Sequence, residues 1–241
     1  KIEIKKTKKK KDKIIFKGPF ASHVKINNNS VSNLLKLLRK LSLISSYYSV
    51  VVTKNIPVFG GLGGGTSNAA FILRFLLKNR INESLLSKVE KLIGSDLRLF
   101  FYKQGFLKNL KNIISVKKNQ KLYFLLTYPY VKCSTYEIYS KVKKYSRKTK
   151  LNFYKTNTKG KFIDYISNNK NDLQSIVEKK YPIVKKLLID ISSGRGCYFS
   201  RMSGSGSICY GLFNNERAAK KALNKIKTKY PKFWFSTAKT V

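Results

Sequence analysis

Residues Pro57 to Ala70 read Pro-Val-Phe-Gly-Gly-Leu-Gly-Gly-Gly-Thr-Ser-Asn-Ala-Ala, with five glycines in the six positions from Gly60 to Gly65. Glycine tolerates positive φ and lets a backbone approach a ligand closely, at an entropic cost that an idle turn would not carry. Such a loop, when it runs into a helix, aims free N–H groups and the positive helix end at one place, which is an anion site suited to phosphate. Thr66 and Ser67 add hydroxyls able to reach phosphate oxygens or a magnesium ion, and Ala69 and Ala70 keep the first turn slim. No Gly-Lys-Ser/Thr closes the segment, so it is not a Walker A loop. Nor is it a dinucleotide fingerprint, since the next acidic residue is Glu83, at a helix start. The readings for this segment are therefore a triphosphate cradle or a turn without function.

The elements that must position this loop follow from periodicity. Ile2–Ile4 and Ile14–Phe16 read as short strands around the run Lys5–Lys11, which reads as a solvated hairpin or loop. Asn29–Ser30 can cap a helix whose Leu34, Leu35, Leu38 and Leu41 share one face. Tyr47–Thr53 is a β-branched strand entering the glycine-rich turn, and a helix is expected from Ser67, with Ala69, Ala70, Leu73, Leu76 and Leu77 on its stripe. Leu85–Ile93 is a second helix stopped by Gly94. Leu122–Thr127 reads as a buried strand, followed by helical Ser134–Tyr145 and Phe162–Asn168 and by the pair Asp172–Lys179 and Pro182–Ile191, Pro182 suiting a first helical position. Strands Cys197–Met202 and Ser207–Phe213 flank the turn Ser203–Gly206; helix Asn214–Lys227 and strand Phe233–Thr237 follow. The mixture predicts an α+β architecture, with a break around Lys117–Lys121.

Composition narrows the function classes. The 241 residues, 42% hydrophobic and 13% aromatic, suffice for one large or two small folded domains. Apolar runs are too short to span a bilayer, and no signal-peptide pattern opens the chain. Cys133, Cys197 and Cys209 make no CxxC or CxxH spacing, so neither a disulfide framework nor a zinc site is suggested, and buried free thiols in a reducing cytoplasm are expected. No metal cage is expected; any Mg²⁺ arrives with a phosphate ligand and keeps most of its waters. The net charge of +40 would suit a nucleic acid, a membrane surface or an anionic substrate. Its lysines spread along the whole chain beside many Asn, Ile and Tyr, the residue bias of an AT-rich genome, so no specific nucleic-acid or membrane partner is inferred. Lone His23 reads as a surface or packing residue.

Three segments in order carry a family resemblance. The glycine-rich loop resembles the phosphate motif of the GHMP kinases, Pro-x-Gly-Ala-Gly-Leu-Gly-Gly-Gly-Ser-Ser-Asp-Ala-Ala. Gly94-Ser95-Asp96 with Phe100-Phe101 resembles the family's Gly-Ala-Asp-Val-Pro-Phe-Phe segment, and Ser200–Ser207 resembles its C-terminal glycine motif. The triple glycine, Asn171-Asp172-Leu173 and Arg201–Gly206 together are similar to the branch whose acceptor is a cytidylated methylerythritol of the non-mevalonate isoprenoid route. The resemblance implies a two-lobed GHMP kinase fold: a ribosomal protein S5 domain 2-like lobe over 1–118 and a ferredoxin-like lobe over 119–241.

The resemblance also implies roles. Pro57, Gly60, Gly61, Leu62, Gly63, Gly64, Gly65, Thr66 and Ser67 would bind the ATP triphosphate, and Asp96 would be the catalytic base or orienting group; on the residues alone, Asp96 reads as an exposed cap. Gly204, Ser205 and Gly206 would shape the substrate and phosphate contacts, or simply form a tight turn. Thr135 and Tyr139 would contact cytidine, Tyr139 by stacking, unless Tyr136 and Tyr139 lie in the core of an amphipathic helix. The departures are Phe59 in place of a glycine, expected to narrow the loop mouth, Arg98 in place of a proline, and Leu110-Lys111-Asn112-Ile113 in place of a glycine-acid stretch. The family's first strand, Ala-Lys-Ile-Asn-Leu, with its catalytic lysine and a stacking aromatic, has no match, and the sole methionine is Met202. The chain is thus expected to begin downstream of that strand. The expected activity is ATP-dependent phosphorylation of the cytidylated methylerythritol by a cytoplasmic monomer or homodimer. The alternatives are a sibling kinase of homoserine, mevalonate or a sugar, a basic nucleic-acid-binding module, or a chain left inactive by the missing strand.

Overall fold

The computed structural model describes residues 1–108, 112–116, 119–146 and 158–240. It divides into two compact units, Lys1–Val58 with Gly63–Lys117, and Phe59–Leu62 with Lys118–Val241. The expected division at 118/119 would leave the whole glycine-rich segment in the first lobe, whereas Phe59–Leu62 cluster with the second unit. Residues 117 and 118 of the expected break, and 110 and 111 of the altered stretch, lie outside the described residues.

In the first unit, β1 (Ile2–Thr7), β2 (Lys13–Lys17) and β3 (Tyr47–Thr53) form a sheet in the order β1-β3-β2. Of the two readings for the lysine run, the loop is the one observed, not the hairpin: β1 pairs antiparallel and β2 parallel with β3, so Ile4 and Ile14 both flank Val50. This pairing puts the most apolar strand in the middle, and its side chains alternate between buried (Tyr48, Val50, Val52) and half-buried. Asp12, directly after the lysine run, accepts from Tyr48 N (2.9 Å) and Arg39 Nη2 (3.1 Å), which pins the connection.

Helix α1 (Ser30–Lys40) has Asn29 as its N-cap in a capping box with Ser32, and its Leu34, Leu35 and Leu38 are fully buried. Helix α2 (Gly64–Leu77) begins three residues before the anticipated Ser67. Helix α3 (Glu83–Ile93) is capped by Asn82 and ends at Gly94 as predicted. A 3-10 turn over Ser95–Phe101 and a short ladder of β4 (Gly105–Leu107) with β5 (Ile113–Ser115) complete the unit; none of these three was anticipated.

The second unit is built on a four-stranded antiparallel sheet. Its strands are β6 (Tyr123–Tyr128), β7 (Cys197–Met202), β8 (Cys209–Phe213) and β9 (Trp234–Lys239), ordered β7-β8-β6-β9. Helices α7 (Pro182–Ser192) and α8 (Glu216–Lys229) lie in one core with β6 and β8, through Val184, Leu187, Ile191, Ala219, Ala222 and Ile226. A β-α-β-β-α-β chain with this order is ferredoxin-like. The smaller helices are α4 (Thr135–Ser140), α5 (Lys159–Ser167) and α6 (Gln174–Lys180). α4 stops five residues short of the anticipated Tyr145, and α6 starts two residues late because Asn171 Oδ1 accepts from Leu173 N in a turn. All three cysteines are free: Cys133 and Cys209 are buried and Cys197 half-buried. Among the described residues no helix is long and apolar enough to cross a membrane.

Candidate active site

The first unit gathers one half of the candidate residues. Directly after β3 stands Lys54, whose backbone is held on both sides: its N–H donates to Lys17 O (2.7 Å) and its C=O accepts from Phe20 N (3.2 Å). The chain then passes through buried Pro57 into the loop. Gly63 sits at φ +61° as the N-cap of α2, a left-handed conformation that favours glycine. It supplies no capping side chain, whereas Asn29 and Asn82 cap α1 and α3. The first-turn N–H groups of α2 are therefore left to a ligand or to water, at the positive end of the helix.

Facing this turn is a residue that belongs to none of the three motifs. Lys54 is only 8% exposed, and its ammonium has no hydrogen-bond or ion-pair partner among the described residues. Its Nζ lies 3.6 Å from where a Cβ on Gly64 would sit. Burial of the side chain pushes this ammonium's pKa below its ordinary value, with no anion beside it to offset the desolvation. The hydroxyl of Ser30, first residue of α1, lies 3.4 Å from the corresponding position on Gly65. The signal for Lys54 was present in the sequence, as a cation placed directly after a β-branched strand feeding a glycine loop.

Asp96 stands exposed near the start of the 3-10 turn. The turn packs on the first turn of α2: Thr66 Oγ1 is 3.3 Å from a Cβ position on Gly94, and the Phe100 ring is 3.0 Å from that of Gly63. Leu97, fully buried, anchors the turn in the core. Gly63, Gly64, Gly65, Thr66, Ser67 and Asp96 thus belong to one neighbourhood, with Lys54 added to it.

The second unit holds the others. Gly61, at φ +78°, lies so close to the β7–β8 turn that a Cβ there would come within 2.1 Å of Ser203 O. Ser203 Oγ donates to Gly61 O (2.8 Å), and Ile208 N donates to Gly60 O (3.2 Å). The turn is held from its other side by Asn171, whose Nδ2 donates to Met202 O (2.9 Å) and Gly204 O (2.8 Å). Gly60, Gly61, Gly204, Ser205 and Gly206 are therefore brought together, and Thr135 joins them through a 2.9 Å hydroxyl contact with Ser205. Leu62, the last residue of this half of the loop, is half-buried. Phe59 occupies φ +64°, which explains a glycine there elsewhere, and it is 55% exposed. Tyr136 and Tyr139 do not enter the core: Ile138 is the buried residue of α4, while Tyr136 is 86% and Tyr139 50% exposed.

A match to the GHMP kinase C-terminal domain covers residues 155–232. A 4-diphosphocytidyl-2-C-methyl-D-erythritol kinase from Pelagibacter ubique (strain HTCC1062) is 33% identical over all of this chain and 86% of its own length. The chain belongs to the 4-diphosphocytidyl-2-C-methyl-D-erythritol kinase family, within the GHMP kinases. The enzyme of the same name from Wolbachia pipientis wMel is 31% identical, over 88% of this chain and 76% of its own. Among solved structures, a 4-(cytidine 5'-diphospho)-2C-methyl-D-erythritol kinase matches with a TM-score of 0.70 at 18% identity, over 98% of this chain and 84% of that one. A homoserine kinase from Cytophaga hutchinsonii matches at 0.66 and 17% identity, over 100% and 85%. At those identities the two structures bear on the fold alone, and the α+β kinase fold is the one observed. Kinship and fold make this chain a small-molecule kinase.

Proposed function

We propose that this chain transfers the γ-phosphoryl group of ATP to the 2-hydroxyl of 4-diphosphocytidyl-2-C-methyl-D-erythritol, in the non-mevalonate route to isoprenoid precursors. The observation that carries the reading is the uncapped first turn of α2, faced by an unpaired buried lysine and flanked by the Asp96 turn. An anion fits there because the N–H groups and the ammonium both lack a partner that a triphosphate would supply. Gly63, Gly64 and Gly65 bind the phosphates by their backbone, and Lys54 neutralises charge that builds on them. The hydroxyls of Thr66 and Ser67 suit Mg²⁺, a hard cation that takes oxygen donors, brought in with ATP. When bound, that ion neutralises phosphate charge in the transition state.

Asp96 accepts the proton of the acceptor hydroxyl and orients its oxygen, the chief demand that phosphoryl transfer places on a protein. Pro57, Gly60, Gly61 and Leu62 set the path of the loop. In the second unit Tyr139 stacks on the cytosine, and Thr135, Gly204, Ser205 and Gly206 contact the substrate. The enzyme works in the cytoplasm as a monomer or homodimer, with lobes dividing near 118/119.

Replacing Asp96 with Asn should lower turnover of the cytidylated substrate by roughly 10²- to 10⁴-fold while ATP still binds. The assay is transfer of labelled phosphate to a panel of the cytidylated ester, homoserine and mevalonate. Phosphorylation of homoserine in place of the ester would reassign the substrate, and unchanged turnover in the variant would remove Asp96 from the chemistry.

A further inference from the structure

Arg98 lies two residues beyond Asp96 and is 6% exposed, in a stretch where the family resemblance leads one to expect proline. Its guanidinium reaches back to α3. Nη1 donates to Glu83 Oε2 (2.8 Å), Nη2 lies 2.6 Å from Glu83 Oε1 and donates to Ser87 Oγ (3.3 Å), and Nε lies 2.8 Å from Glu90 Oε1. The last contact is an ion pair whose angle does not make a hydrogen bond. Positions 83, 87 and 90 fall on one face of α3, so the guanidinium lies along that face. The chain has only 11 acidic residues against 51 lysines and arginines, yet two of them meet this one arginine.

Glu90 is almost buried beside the guanidinium, whereas Glu83 is 70% exposed. Neither kind of pair adds much net stability, the exposed one because water screens it and the buried one because desolvation offsets the Coulomb gain; fixing a geometry is the better-attested use of a buried pair. Here the geometry concerns Asp96. The residue before it in the turn follows Gly94, whose N–H donates to Glu90 O (2.9 Å), and the residue after it, Leu97, is fully buried. Arg98 then fastens the turn to the same Glu90 and to Glu83. An exposed carboxylate is thus carried on a short segment tethered on both sides, against Thr66 and Gly63 of α2.

From this we infer that Arg98 is a positioning residue for phosphoryl transfer: its fork onto Glu83 and Glu90 holds the Asp96 carboxylate in register with the first turn of α2. The inference rests on the role proposed for Asp96. A bidentate fork fixes direction as well as distance, which the point charge of a lysine does not. A displacement of about 1 Å at a reacting group costs on the order of 10²-fold in rate.

The test compares the wild type with Arg98→Lys and with the double variant Arg98→Met/Glu90→Gln, which leaves no buried carboxylate stranded at position 90. Turnover is expressed per ATP-binding site, counted by equilibrium dialysis, so that a loss of folded protein does not pass for a loss of rate. The double variant should lose roughly 10- to 100-fold in kcat per site with KM for ATP changed by less than about 2-fold. Arg98→Lys should fall between it and the wild type, and amide exchange should quicken over Ser95–Phe101 but not over α2. Wild-type kcat per site in the double variant, or in Arg98→Lys should the double variant not fold, would overturn the inference. Failure of the underlying reading is seen separately, in a wild type whose turnover does not depend on Asp96.

Discussion

Gly61→Ala is the substitution for which the structure leaves least room, and its cost can be worked from three parts. At φ +78° a non-glycine residue costs about 1–2 kcal/mol. A methyl 2.1 Å from Ser203 O cannot be accommodated, so loop and turn must separate. That separation gives up the Ser203 Oγ–Gly61 O and Ile208 N–Gly60 O bonds, each about 0.5–1.5 kcal/mol net. The sum is about 2–5 kcal/mol. For a chain of this size, roughly 2–4 °C per kcal/mol, the melting temperature should fall by about 4–20 °C.

Gly64→Ala is the control within the same loop. A Cβ there meets only Lys54 Nζ, at an ordinary 3.6 Å, and alanine in a first helical turn gains up to about 1 kcal/mol. The control should melt at or above the wild type, yet bind ATP more weakly because its methyl stands where a phosphate approaches. Thermal unfolding by circular dichroism with and without ATP reads both. A Gly61→Ala protein that melts with the wild type, or a Gly64→Ala protein with undiminished ATP stabilisation, would refute the reasoning.

Lys54→Met should stabilise the nucleotide-free protein at pH 7, because it removes a buried, unpaired cation, and should raise KM for ATP roughly 10- to 100-fold. The folded pKa of Lys54 lies below its ordinary 10.5, so the unfolded chain holds the proton more tightly. The cost of burying the charge is present at low pH and fades as pH rises through the folded pKa toward 10.5. The stability advantage of the variant should shrink over that window; melts from pH 7 to 10 decide, and an advantage that grows with pH would contradict the burial argument. The thiols give a simpler check. Burial pushes Cys197 up to about 11 and raises Cys133 and Cys209 as well. At pH 8 about one Cys197 in a thousand is thiolate. Iodoacetamide should leave the native protein unlabelled over minutes and label all three cysteines on unfolding; rapid labelling of the native chain would refute this.

Much of the scaffold was legible in the sequence because its cues are local. The β-branched run Tyr47–Thr53 is β3 to the residue; Asn29, Gly94 and Pro182 sit at the helix ends where their backbone chemistry placed them. Local cues failed where a partner had to be chosen. Nothing within Ile2–Phe16 says that its two strands avoid each other and take β3 between them. The start of α2 was read too late because glycine disfavours helix, whereas a helix needing open N–H groups begins on glycines. Tyr139 was ambiguous until the burial of Ile138 showed which face of α4 the core takes.

The glycine-rich loop divides along the same line. Glycine's freedom, the helix start behind it and the excluded Walker and dinucleotide spacings are properties of consecutive residues, so the sequence by itself determined a glycine-rich strand-to-helix turn of a kind suited to an anion. Tertiary structure alone decided that Ser203 clasps Gly61, that Lys54 faces Gly64 without an anion of its own, and that Arg98 ties the Asp96 turn to α3. Those are contacts between residues up to 142 positions apart. Side chains so distant meet only because the cores of the two units bury apolar faces, and that burial, cooperative over the whole chain, leaves no signature at any one of the residues it brings together.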